Sequence, residues 1–196
     1  RYPVTNKPFN AFVDETKYPR GDDHNFLKDW QNGSYLPGWG EKPVTWVSIE
    51  DARAYASWAG KRLPHEWEWS YAGQGDDGRL YPWGNKMDSF RIPKPDTSRK
   101  MRVPSNVNSF TNGISPFGVL DMVGNVWQWT DEYVDSHTRF SILKGGSYYH
   151  PQTSDWYFPN AYELIEYGKY LLMAPGKDRS GTIGFRCAAD KDSIAN

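Results

Sequence analysis

Between Gly118 and Tyr133 the chain reads GVLDMVGNVWQWTDEY, and LKGGSY follows it. A short apolar run ends in the turn pair Gly124-Asn125, after which two tryptophans flank a polar Gln128. Alternation at a period of two predicts a strand, with Trp127 and Trp129 on one face and Gln128 on the other. Asp121, the glycine turn and the inward amide of Gln128 are also oxygen-bearing groups of the kind that wrap a hard cation.

The rest of the chain suits such a strand. Its 196 residues fit one domain, read as 1–196, with enough length to bury a core. Ten Trp, 13 Tyr and 9 Phe, with 18 Gly and 14 Pro, predict short strands, many loops and an aromatic-rich interior. Lys and Arg number 23 against 24 Asp and Glu, so no bulk charge draws the chain to nucleic acid or to an anionic membrane. No apolar run approaches the roughly 18 residues of a membrane span. Cys187 is the single cysteine, which excludes an intrachain disulfide and a cysteine-based zinc cluster.

Local signals place several elements. Thr5 is positioned to cap a helix with Phe9, Phe12 and Val13 on one face. Residues 18–42 read as loop, and Pro43 to Val47 as a short strand. Ser48 to Asp51 forms a capping box, opening a helix that buries Ala52, Tyr55, Ala56 and Ala59 and stops at Gly60. Pro64 introduces a second short helix, His65 to Ala72, with His65 as its cap. From Gly73 to Pro116 turn signals dominate, with Tyr81 to Asn85 as a packed loop. Phe140 to Lys144 and Thr182 to Ala188 are further strands, separated by an irregular aromatic stretch. Helices early and short strands late predict an α+β domain. Alternation in TIGFRC puts Ile183, Phe185 and Cys187 on one face, so Cys187 is expected to be an inert core thiol.

PVTNKPFNAFV, PVTWVSIEDARAYASWAGKRLPHEWEWSYAG, YPWGN, GVLDMVGNVWQWT, LKGGSY and GTIGFRCAAD occur in this order. In that order they resemble the formylglycine-generating enzymes of the sulfatase-modifying-factor family, across nearly the whole chain. The resemblance implies a variant of the C-type-lectin-like fold, with a β-hairpin ahead of the PVTN helix that this sequence lacks at its start. Family members oxidise a sulfatase cysteine to formylglycine with copper and oxygen, holding copper through two cysteines. The matching positions here are His150 and Asp155. An imidazole and a distant carboxylate do not replace two soft thiolates, so sulfatase activation is not expected.

The resemblance also implies a calcium site at Asp121, Gly124, Val126 and Gln128, where Gln128 replaces the usual acid between the tryptophans. Calcium takes about six to eight oxygens, so a carboxylate, carbonyls and an amide suit it; the plain alternative is that Asp121 and Gln128 only bond the turn backbone. Ser147 matches the family's active-site serine and Trp127 a tryptophan near the reaction centre. With the cysteines gone, Trp127, Ser147, Tyr149, His150 and Trp156 are expected to line a residual ligand cleft, against core packing for Trp127 and a turn hydroxyl for Ser147. The stretch from Tyr148 to Tyr170 mixes aromatics with amides and carboxylates, a composition that suits sugars or peptides as well as a self-packed loop.

The expectation is therefore a calcium-stabilised, non-catalytic domain that binds a protein or glycan partner outside the cytoplasm. Its alternatives are a copper or non-haem iron oxidoreductase and a structural subunit of a cell-envelope assembly.

Overall fold

The computed structural model describes residues 1–19, 22–95, 103–135, 137–149, 161–174 and 176–190. Three helices precede a four-stranded sheet: α1 (Asn6–Thr16), α2 (Ile49–Trp58) and α3 (Glu66–Gln74), then β1 (Trp127–Tyr133), β2 (Phe140–Lys144), β3 (Gly168–Leu171) and β4 (Ile183–Phe185). The sheet order is β3-β2-β1-β4. Its first two pairings are antiparallel, whereas β4 runs parallel to β1 in the register Trp127–Ile183, Gln128–Gly184 and Trp129–Phe185. The α+β reading of the sequence holds.

α1 forms where the apolar spacing places it and buries Phe9 and Phe12 completely. Its expected cap does not: Thr5 makes no side-chain cap bond, since the Lys7 N–H goes to the Gly40 carbonyl and Pro8 has no N–H to offer. α2 has the predicted capping box, with the Asp51 N–H on Ser48 Oγ at 3.2 Å and the Ser48 N–H on Asp51 Oδ2 at 2.8 Å. At α3, Glu68 accepts the His65 N–H at 2.8 Å, while the His65 ring nitrogen Nδ1 lies 2.6 Å from Glu132.

Pro43 to Val47 is not a strand. Val44 bonds back to Val4 and Trp46 to Ser180, but Trp46 adopts φ of 59°, and a left-handed residue breaks a ladder. β3 lies within the aromatic stretch between the two expected strands, where no strand is expected, and is held by its pairing with β2. Two cores result: one joins Phe9, Tyr55, Trp127, Trp129, Ile183 and Phe185, and the other joins Trp69, Ile92, Met122, Val123 and Leu164. Gly124, at φ of 85°, lets the chain turn between them; a Cβ there would sit 2.8 Å from Ile92. Among the described residues, no helix is long and apolar enough to cross a membrane.

Candidate functional site

The turn from Leu120 to Gln128 enters β1 and is buried throughout its length. Gln128 projects from β1 away from the two tryptophans, as the alternation predicts, and meets Trp69 of α3 and Arg186 just past β4. Trp69 Nε1 donates to Gln128 Oε1 at 2.8 Å, and Arg186 Nε donates to the same oxygen at 2.5 Å. Gln128 Nε2 donates to the carbonyls of Asp121 at 2.9 Å and Met122 at 3.2 Å. Arg186 Nη2 adds bonds to the carbonyls of Leu120 at 2.9 Å and Asp121 at 3.0 Å. Burial pulls the Arg186 guanidinium down to about 10, so it stays charged at neutral pH.

Asp121 is buried at φ of 51°. Its Oδ1 accepts from Asn125 Nδ2 at 3.3 Å, while Oδ2 is buried with no hydrogen-bond partner. Burial pushes this carboxyl above its ordinary range, against the opposing pull of Arg186. Of the four residues implied for calcium, Asp121 therefore offers a free oxygen and Gln128 does not. The side chain meant to replace the acid has both amide groups engaged with protein atoms, and a guanidinium abuts its oxygen. The Gln128 side chain is therefore committed to protein partners, so it does not fit the role of the acid it replaces.

The expected ligand cleft is only partly within the described residues, since His150, Asp155 and Trp156 lie outside them. Trp127 is 5% exposed and belongs to the first core, with Gly168 of β3 so close that a Cβ there would touch the indole at 3.1 Å. Ser147 is buried, its hydroxyl 3.3 Å from both the N–H and the carbonyl oxygen of Tyr149. Tyr162 donates to the Ser147 carbonyl at 3.0 Å. Ser147 and Tyr149 thus share one backbone turn, and Trp127 packs under the sheet edge. Cys187 is half-buried against the first core, and burial pushes its thiol up to about 11. That accords with an inert thiol.

Two surface features escaped the sequence reading. A groove of about 430 Å³ is lined by Val13, Asp23, Phe26, Leu27, Trp30 and Gly33, residues that read only as scattered loop positions. On α3, Trp67 and Tyr71 stand 63% and 52% exposed, one turn apart on the same side. The His65 ring lies parallel to Trp67 at 7°, and Phe117 meets Tyr71 with ring centres 5.1 Å apart. The four rings form two pairs, His65 with Trp67 and Tyr71 with Phe117, on neighbouring turns of α3. The i, i+4 pair Trp67 and Tyr71 was their sequence signal; Phe117 came from a distant loop.

The chain is similar to a bovine protein named inactive C-alpha-formylglycine-generating enzyme 2, with 32% identity over 96% of this chain and 75% of the relative. A Bacillus subtilis protein, YfmG, is 31% identical over 77% of this chain. The match spans 40% of that relative's length. Among solved structures, PvdO from Pseudomonas aeruginosa superposes with a TM-score of 0.67 at 20% identity, covering 93% of this chain and 76% of that one. The fold is that of the formylglycine-generating enzymes. With the model of the sulfatase-modifying factor enzyme 1-like domain matching residues 1–191, the chain belongs to that family.

Proposed function

We propose that this chain is a non-catalytic recognition domain of its family that binds a protein or glycan partner. The observation that carries the proposal is the exposed rings of Trp67, Tyr71 and Phe117, with the half-buried His65 stacked on Trp67. Flat rings presented to solvent stack on the apolar CH faces of sugars or on peptide side chains, and polar groups beside them fix orientation. Such groups are in place: Tyr71 Oη donates to Asp76 at 2.6 Å, and Glu132 pairs with His65. The non-catalytic half of the proposal is supported by the thiols. Cys187 is the single cysteine among the 196 residues and packs against the core, so these residues supply no cysteine pair for copper. The relative named inactive, matched over most of both chains, agrees with this reading.

A second candidate is the turn at Ser147 and Tyr149, with His150 and Trp156, which follow in sequence and lie outside the described residues. Glycan and peptide arrays probed with the wild type, Trp67→Ala and Trp156→Ala separate the two. Loss of binding in Trp67→Ala alone places recognition on α3, and loss in Trp156→Ala alone moves it to the segment that carries Trp156. No binding on either array refutes recognition. Stoichiometric copper or iron, together with oxygen consumption, would refute the non-catalytic reading. An extracytoplasmic location is part of the same proposal, and fractionation of the native host tests it.

A further inference from the structure

The four bonds of Gln128 leave no freedom in how its amide is oriented. Trp69 Nε1 and Arg186 Nε are both donors and neither can accept, so the side of the amide that faces them must be oxygen. The opposite side faces the carbonyl oxygens of Asp121 and Met122, which only accept, so it must be the NH2. Both amide hydrogens and both oxygen lone pairs are used, which leaves no lone pair for a metal.

Three consecutive carbonyls, those of Leu120, Asp121 and Met122, converge on this point and receive N–H groups from Gln128 and Arg186. Converging carbonyls are what a hard cation would otherwise bind. The space is also closed. Gly145, at φ of 91°, lies so near that a Cβ would stand 2.3 Å from the Met122 oxygen and 3.3 Å from Gln128 Nε2. Its carbonyl accepts the Gly124 N–H at 2.8 Å, which ties the turn to the end of β2. A glutamate at position 128 would keep its contacts with Trp69 and Arg186 but would press its second oxygen against two carbonyl oxygens. Like partial charges at such distances in a dry interior repel, unless a cation or a proton lies between them.

We infer that the amide of Gln128, backed by the guanidinium of Arg186, does here the work of a bound cation, closing the 120–128 turn without calcium. The identity of residue 128 then decides whether the turn needs a metal, and a single substitution, Gln128→Glu, creates the need.

Thermal unfolding of the wild type and of Gln128→Glu, each in EGTA and in millimolar calcium, tests this. The wild-type Tm should not move between the two buffers, and metal analysis should find no stoichiometric calcium. Gln128→Glu should melt lower in EGTA and recover by about 5–10 °C when calcium is present at about a hundred times its Kd. A wild-type Tm that rises by several degrees with calcium, with the rise abolished in Asp121→Asn, overturns the inference by showing an ion held through the free Asp121 oxygen. A folded Gln128→Glu that ignores calcium overturns it equally. Should Gln128→Glu not fold in either buffer, the wild-type comparison alone decides, since it reads the same ion directly.

Discussion

Arg179 and Asp51 form a two-pronged ion pair at the centre of the fold, with Nε to Oδ2 at 2.7 Å and Nη2 to Oδ1 at 3.1 Å. Both side chains are shut off from solvent, at 0% and 2% exposure. The same Asp51 carboxylate closes the capping box of α2, so one group joins a helix start to the loop that feeds β4. Arg179 also reaches the carbonyls of Asp22 and His24, which anchors the early loop to the late one. A buried guanidinium with every prong engaged holds three distant segments together.

Removing one partner of that pair strands the other charge in the interior. Asp51→Ala and Arg179→Ala should each lower stability by about 3–5 kcal/mol, measured from urea denaturation midpoints. A loss below about 1 kcal/mol in both would show that the pair is not a structural joint.

Lys144 and Glu66 are coupled asymmetrically. Lys144 Nζ is fully buried and bonds Glu66 at 2.8 Å and the Leu164 carbonyl at 2.7 Å, whereas Glu66 remains 30% exposed. Burial lowers the Lys144 pKa, and Glu66 pulls in the opposite direction. Glu66→Ala leaves a buried ammonium without its counter-charge and should cost about 1–3 kcal/mol; Lys144→Met leaves only a solvated carboxylate and should cost less. The order of the two denaturation midpoints is the check, and the reverse order refutes the asymmetry.

Glu68 gives the domain part of its acid sensitivity. Hydrogen bonds from Arg62 hold its carboxyl below the ordinary glutamate range, with the His65 N–H helping. A depressed carboxyl pKa contributes stability that is complete above the unfolded-state value and is lost as pH falls through the folded one. Glu68→Gln should therefore cost about 0.5–1 kcal/mol at pH 7, with the gap to wild type closing in acid as the wild-type Glu68 takes up its proton. Urea midpoints across the acid limb measure it, and a gap that persists to the lowest pH contradicts the assignment.

Cys187 should resist thiol reagents while the protein is folded. With its thiol pushed up to about 11, the thiolate fraction near pH 8 is on the order of 0.1%. Labelling with a disulfide reagent should be at least about a hundred-fold slower in buffer than in denaturant. Equal rates would place the thiol on an accessible surface.

The signals that were readable in the sequence were local ones. The capping box at Ser48 and the alternation through Trp127-Gln128-Trp129 each depend on residues within a few positions of one another, and both elements formed as read. Pro43 to Val47 failed because its partners, Val4 and Ser180, lie far away in sequence and a left-handed Trp46 interrupts the pairing. β3 was missed for a related reason: Gly168 to Leu171 has little strand character of its own and is held by β2. At the candidate site the sequence identified Asp121 and Gln128, but the amide's role depends on Trp69 and Arg186, 59 and 58 positions away from Gln128.

The sequence alone determined the family, the α+β class, the face of β1 that carries its tryptophans and the lack of a second cysteine. Those features are covalent or local, carried by residue order, period and count. Only the tertiary structure decided what Gln128 faces. An amide can serve as metal ligand or as hydrogen-bond brace, and the choice between them belongs to its neighbours. Here two donors on one side and two carbonyls on the other, delivered by α3, the residue just past β4 and the turn itself, make it the brace.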